Sequence, residues 1–331
     1  MEYRNLGRTG VKVSPLCLGC MMFGGRTEPE DSYKIIDRAI DAGINFIDTA
    51  NVYSRGTSET VTGEALQRNG RRDRIVLATK VHGPMGEGPN EWGNSRRHII
   101  DQCDASLKRL QTDWIDLYQI HRPQSDIPID ETLQAMDDLI RAGKVRYIGT
   151  STFAAWQCVE ALGVSRDLRL NRFVTEQPPY HILDRRIERE LIPMARTYGY
   201  GLIPWSPLAG GLLTGKYKRG ENAPTKSRFA GREDSERMNE RVFDVTEGLE
   251  PLVQSKGCTM AQFAIAWCMN QPGITSPIIG PRTMEQLEDN LGALEVNITK
   301  DDREAVDRLV PPGEMVSPFY EADFGPHACR V

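Results

Sequence analysis

The sequence predicts a closed (β/α)8 barrel of the α/β class, preceded by a short β-hairpin and carrying long loops at the carboxyl-terminal face of its strands. Three observations predict it. Short apolar runs start near residues 44, 75, 115, 145, 173 and 201, at intervals of roughly 28–40 residues, the length of one βα unit. Amphipathic stretches at helical spacing lie between them, so strands alternate with helices and the sheet is parallel. No Gly-x-Gly-x-x-Gly follows the first strand, and about eight such units favour closure over a doubly wound sheet.

The elements follow in order. MEYRNLGRTGVK reads as the hairpin, with Gly10 near its turn. Val13–Leu18 gives the first barrel strand and Ile44–Ile47 the second. Ile75–Ala78, Ile115–Tyr118, Val145–Ile148, Phe173–Val174 and Gly201–Ile203 follow, and Pro277–Ile279 is the eighth. In SYKIIDRAIDAG, Ile35, Ile36, Ala39 and Ile40 share a helix face that stops at Gly43. DETLQAMDDLIRAG repeats the design with Leu133, Met136, Leu139 and Ile140 and ends at Gly143, and RIERELIPMARTYG stops at Gly199. The interval 208–276 breaks the repeat. Its charged portion, KYKRGENAPTKSRFAGREDSERMNER, is too polar for core and sits where a barrel carries a functional loop. The tail from Pro311 is irregular. No proline- or serine-rich linker divides the chain, so residues 1–331 are expected to form a single domain.

Composition narrows the function. With 39% hydrophobic and 26% charged residues and a net charge of −5, a bulk nucleic-acid or membrane-surface role is disfavoured. The start lacks the apolar run of a signal peptide, and no stretch has spanning length. A cytosolic protein with reduced thiols is the expectation. Among the seven cysteines, Cys17-Leu-Gly-Cys20 is the one C-x-x-C. It lies in a strand-like run with no helix start to lower a thiol pKa, and reads as structural.

A barrel of this kind places its chemistry at the carboxyl ends of its strands. The second strand runs into Asp48, the third ends at Lys80, the fourth at His121, and Tyr53 follows the second strand on the same face. Taken singly, Asp48 reads as a cap or a satisfied acid, Lys80 as a solvated strand end, His121 as a core histidine and Tyr53 as a loop aromatic. Together they make a proton-transfer set. A buried carboxylate is costly unless paired, and a lysine beside it makes both burials tolerable. A cation near a phenol brings its pKa, about 10 when free, nearer neutrality. The chain shows no nucleophile elbow, H-E-x-x-H or Walker loop. A proton donor without a nucleophile suits a reaction whose other half a cofactor carries.

At this point the chain resembles the aldo-keto reductases, NADPH-dependent enzymes on a (β/α)8 barrel. The resemblance rests on GINFIDTANVYS (43–54), VLATKV (76–81), DLYQIHRP (116–123), YIGTST (147–152), EQPPYH (176–181), PWSPLAGGLLTGK (204–216) and PIIGPRTMEQLEDN (277–290). Seven motifs in order at barrel spacing are specific. The forms WSPL and G-x-R-x-x-x-Q-L-x-x-N are similar to the branch that holds bacterial reductases and potassium-channel β subunits.

The resemblance implies that Tyr53 is the general acid, that Asp48 and Lys80 tune it, and that His121 positions the carbonyl of a small aldehyde or ketone. It implies NADPH/NADP+ as cofactor. Ser151, Thr152 and Gln177 match contacts to the nicotinamide amide, and Trp205 the aromatic that stacks on its ring. Ser206, Leu208, Gly210 and Lys216 match the pyrophosphate loop. Gly280, Arg282 and Gln286 match the 2′-phosphate end, with Glu288 or Asp289 and Asn290 near the adenine. A guanidinium at a 2′-phosphate favours NADPH over NADH, and loop 208–240 is expected to close over the cofactor. Two departures stand out. Many members have Ser-Asn where this chain has Ser151-Thr152, and Gly-Thr-Met where it has Gly19-Cys20-Met21, which puts Cys20 near the cofactor as a candidate redox handle. Met22, Trp92, Tyr320 and Phe324 are candidates for the substrate pocket. No nucleic-acid or membrane partner is expected. The branch includes tetramers and octamers, so a homo-oligomer is left open. A second reading of the same motifs is a binding or sensor module, like the channel β subunits, in which the cofactor turns over slowly.

Overall fold

The computed structural model describes residues 1–225, 227–232 and 235–317. The amino-terminal hairpin pairs β1 (Arg4–Asn5) with β2 (Lys12–Val13). Eight parallel strands follow. They are β3 (Cys17–Gly19), β4 (Phe46–Asp48), β5 (Val76–Val81), β6 (Ile115–Ile120), β7 (Val145–Ser151), β8 (Thr175–Gln177), β9 (Gly201–Leu202) and β10 (Ile278–Ile279). Their order, β10-β3-β4-β5-β6-β7-β8-β9, brings the two ends of the sheet round to each other. The Thr275 N–H donates to the Leu202 carbonyl and the Ile278 N–H to the Pro204 carbonyl, both at 2.8 Å, joining the β9 and β10 edges.

Helices α1 (Pro29–Asp41), α2 (Thr57–Asn69), α3 (Arg96–Leu110), α4 (Ile129–Arg141), α5 (Ala155–Asp167) and α6 (Leu191–Tyr198) alternate with the strands. In α1, Ile35, Ile36 and Ala39 are buried while Glu30 and Asp31 lie in the first turn, where the helix dipole favours acids. Helix α4 repeats this with Leu133, Met136 and Leu139 inward. The interval after β9 holds α7 (Glu240–Lys256) and α8 (Met260–Met269); α9 (Met284–Leu291) and α10 (Lys300–Leu309) follow β10. Helix α8 is buried along its whole length because α7 and α9 pack over it. Residues 314–316 then dock on the segment after β8, where the Arg185 N–H donates to the Glu314 carbonyl.

The strands run further than their apolar residues. The apolar runs that begin at Ile44, Ile75, Ile115 and Val145 extend to Asp48, Val81, Ile120 and Ser151. The run at Phe173–Val174 precedes a strand that is Thr175–Gln177. Polar residues occupy these carboxyl-terminal ends because partners inside the barrel satisfy them. Val13 belongs to the hairpin and not to the first barrel strand. The RIERELIPMARTYG segment opens with a single 3-10 turn at Arg186–Glu188 before α6. The loop after β9 is less polar in structure than in sequence. Tyr217, Ala223 and Phe229 are buried, and the Tyr217 and Phe229 rings meet edge to face at 5.6 Å. No helix among the described residues is long and apolar enough to cross a membrane.

The hairpin plugs the amino-terminal mouth of the barrel, where Leu6 and Val13 pack on Phe46, Leu117, Val174 and Ile203. Its turn passes so near β9 that a Cβ on Gly7, at φ +57°, would meet Gly201 N at 2.6 Å and the Val174 carbonyl oxygen at 2.7 Å. These are backbone atoms and cannot give way. Gly7→Ala is expected to lower unfolding free energy by about 2 kcal/mol or more, through clash and positive φ together, as measured by urea denaturation.

Candidate active site

Strand geometry sends alternate side chains to opposite sides. Phe46, Ala78 and Leu117 form the inner layer above the hairpin, whereas Ile47, Leu77, Tyr118 and Ile148 pack outward. The same phase carries Asp48, Lys80, Gln119, Ser151 and Gln177 inward, one level nearer the carboxyl ends. The fold thereby builds an apolar floor and sets a polar layer on it.

Asp48 and Lys80 form an ion pair through Asp48 Oδ1 in that layer. Lys80 is fully buried, and Asp48 is 2% exposed. The ammonium also donates to the Thr49 carbonyl at 2.8 Å and lies 3.4 Å from the Tyr53 hydroxyl. Its three hydrogens thus have three acceptors. Burial opposes the charge on Lys80, but Asp48 and Tyr53 outweigh it, and the pKa lies above the ordinary lysine value. Asp48 Oδ2 accepts from Gln119 Nε2 and Gln177 Nε2, each at 3.0 Å.

Tyr53 hangs from the turn after β4, where Ser54 and Arg55 take φ of 48° and 53°. Such left-handed values are unfavourable for these residues and are held here by α2, which starts directly after. The Tyr53 ring meets His121 edge-on, with centroids 5.6 Å apart. Burial, and then the neighbouring Arg122, Lys80 and His82, drive the His121 pKa well below its usual value, so the ring is neutral.

These groups line one end of a cavity of about 680 Å³. Of the residues expected there, Asp48, Tyr53, His121, Ser151, Gln177, Trp205, Ser206, Leu208, Gly210, Lys216, Gly280, Arg282, Gln286, Asp289 and Asn290 all line it. Lys80 does not, because it lies beneath Asp48 and Tyr53. Thr152 does not either: it is buried, with its hydroxyl donating to the Ser151 carbonyl. Cys20 does not line the cavity. Gly19, Met21 and Met22 line the cavity, while Cys20 points back to Thr62 of α2, and burial pushes its thiol up to about 12. Its partner in the C-x-x-C, Cys17, is likewise buried, and burial raises its thiol too. Met22 lines the cavity, but Trp92 packs instead on His82 at its surface. Tyr320 and Phe324 lie outside the described residues. Glu288 pairs with Arg38 of α1.

Three cavity arginines escaped the sequence reading. Arg26 comes from the loop after β3, Arg122 follows His121, and Arg228 comes from the charged segment between β9 and α7. Only the charge of that segment signalled the last. The run from Ser206 to Gly211 has positive φ at Ser206, Ala209, Gly210 and Gly211. Successive left-handed turns of this sort aim backbone N–H groups at a common point and favour anions.

Glu176, between Thr175 and Gln177, points outward beside the end of β7 and the turn that follows it. Its carboxyl shares a hydrogen bond with the Thr150 hydroxyl and accepts from the Phe153 N–H at 3.2 Å. Burial pushes it from the usual 4.5 up to about 8, although those bonds act the other way. A folded pKa above the unfolded value contributes stability that is complete below 4.5 and lost as pH rises through about 8. Glu176→Gln should therefore flatten the fall in stability between pH 5 and 8, where this group alone gives a slope of up to about 1.4 kcal/mol per pH unit, as read from urea midpoints against pH. Lys80→Met, in contrast, should cost about 3–5 kcal/mol in the same measurement, because it strands the Asp48 charge in the barrel.

Comparison with known proteins agrees with this architecture. The family model described as the Aldo/keto reductase family matches residues 15–311. An uncharacterized oxidoreductase, YrpG, of Bacillus subtilis (strain 168) is 43% identical over 95% of this chain and 97% of its own length. Probable voltage-gated potassium channel β subunits of Oryza sativa subsp. japonica and Arabidopsis thaliana are 41% and 40% identical, each over 89% of this chain and 92% of its own length. With eight parallel strands carrying a Tyr53–Lys80–Asp48–His121 cluster at their carboxyl ends, and with these matches, the chain belongs to the aldo/keto reductase family of oxidoreductases.

Proposed function

We propose that the protein reduces aldehydes, and some ketones, to alcohols with NADPH. The observation that carries this reading is the Lys80 ammonium, held by Asp48 and set against the Tyr53 hydroxyl beside a neutral His121. When bound, NADPH supplies a hydride from C4 of its nicotinamide to the carbonyl carbon. The chain's own residues manage the proton. The Tyr53 hydroxyl donates it to the carbonyl oxygen, and the phenolate left behind is stabilised by Lys80, whose charge Asp48 balances. A neutral His121 donates a hydrogen bond to the same oxygen without adding net charge.

The donor set fits the cofactor. Lys216 is lowered by burial and then by Arg282 and Arg228; Arg228 is lowered by burial and then by Arg26 and Arg237, with Arg282 adding to it. These cations crowd one another at the end of the cavity away from Tyr53, and phosphate groups would relieve that repulsion. Arg282 and Arg228 would hold a 2′-phosphate and pyrophosphate, with Ser206, Leu208 and Gly210 offering backbone N–H groups and Trp205 a ring for the nicotinamide. Ser151 and Gln177 would hold its carboxamide.

The names of the two plant relatives favour a second reading, a channel-associated sensor with slow turnover. Oxidation of NADPH with a panel of small aldehydes, set against the rate of cofactor release, separates the two. Tyr53→Phe should retain NADPH binding and lose about 10²–10⁴-fold in turnover. Native protein that binds NADPH yet reduces nothing on the panel would favour the sensor.

A further inference from the structure

Gln119 stands where the proton transfer requires no polar side chain, yet it is fully buried in the polar layer of the barrel. Its register in β6 sets it between Lys80 of β5 and Gly149 of β7. A Cβ on Gly149 would meet Gln119 Cγ at 3.4 Å and Thr175 Oγ1 at 2.1 Å. A side chain at Gly149 would therefore find no room beside Gln119, chiefly because of Thr175. Gln119 Nε2 donates to Asp48 Oδ2 at 3.0 Å, and its Oε1 accepts from Gln177 Nε2 at 3.1 Å. The same Gln177 nitrogen donates to Asp48 Oδ2 at 3.0 Å.

An ionised carboxylate only accepts. The amide atom that each glutamine turns to Asp48 must accordingly be its –NH2 group. Gln177 then has both amide hydrogens engaged, one by Asp48 and one by Gln119. What it has left for the cavity it lines is its carbonyl oxygen, an acceptor. We infer that Gln119 is a positioning residue that locks the Gln177 amide with its carbonyl toward the cavity, so that the site selects a nicotinamide-type ligand by the N–H of its carboxamide. The inference rests on the proposed cofactor reading. It ties the residue that recognises the cofactor amide to the carboxylate that anchors the proton-donating lysine.

A site built to accept from an N–H discriminates against a ligand that offers only a carbonyl. The test compares NADP+ with its 3-acetylpyridine analogue, which keeps every charge and replaces the carboxamide with a methyl ketone. Binding of each is titrated calorimetrically to the native protein and to Gln119→Met, a change of similar volume that removes both of its hydrogen bonds. The native protein should prefer the carboxamide by about tenfold. Gln119→Met should lose most of that preference, through weaker binding of NADP+ alone. Equal weakening of both ligands would mean that Gln119 merely shapes the barrel, and an unchanged preference would also overturn the proposal. Native protein that binds both ligands equally refutes the locked amide while leaving the cofactor reading intact; native protein that binds neither refutes the cofactor reading itself. A measurement on the native protein does not depend on the variant's folding. With ¹⁵N-labelled glutamine, both side-chain amide protons of Gln177 should be protected from solvent exchange before and after NADP+ is added, and rapid exchange of either would sink the idea.

Discussion

The buried ion pair between Asp48 and Lys80 is the constraint on which the rest of the site depends. Neither charge reaches bulk solvent, and each is tolerable inside the barrel only because the other is there. Three hydrogens on Lys80 need three acceptors, and the third is the Tyr53 hydroxyl. The turn after β4, with Ser54 and Arg55 in left-handed conformations, brings the phenol to the ammonium. The second oxygen of Asp48 needs donors, and two glutamines from β6 and β8 provide them. A polar layer assembled to stabilise one pair thus links four strands, β4, β5, β6 and β8, and orients the groups that face the cavity.

The cavity is electrically divided. At one end the Asp48 and Lys80 charges pair, and burial together with the neighbouring cations Arg122 and Lys80 keeps His121 neutral. At the other end Lys216, Arg26, Arg228 and Arg282 gather from separate loops. Cations crowded together in this way favour phosphate groups beside them. The loop that delivers Arg228 is fastened by the Tyr217–Phe229 ring contact, so a segment that reads as fully polar is anchored by a few apolar residues.

The fold and the centre of the site were legible in the sequence for particular reasons. Repeated apolar runs mark strands, and the residue that ends such a run lies at the barrel's carboxyl-terminal face, which is where Asp48, Lys80 and His121 sit. The same rule undershot the strands, because inward positions near their ends are polar. Gln119 was overlooked, although it stands in phase with Leu117 and His121. Its polarity became meaningful only when β4 and β8 brought Asp48 and Gln177 to it. Cys20 and Thr152 lie off the cavity for the converse reason. Both sit within motifs that border the cavity, but the local path of the chain turns Cys20 toward α2 and spends the Thr152 hydroxyl on a backbone carbonyl.

The sequence by itself determined the number and order of the βα units, the hairpin before them, and the residue types at the strand ends. These are set by hydrophobic period and turn chemistry, which are local properties. Only the tertiary structure decided which polar groups share a hydrogen-bond network, which way the Gln177 amide faces, that Arg26 and Arg228 meet at one cavity, and that the Glu176 carboxyl is pushed to about 8. Those properties depend on distances of a few ångströms between residues as far apart in the chain as Asp48 and Gln177, and on how completely water is excluded around them. Both are fixed when the barrel closes.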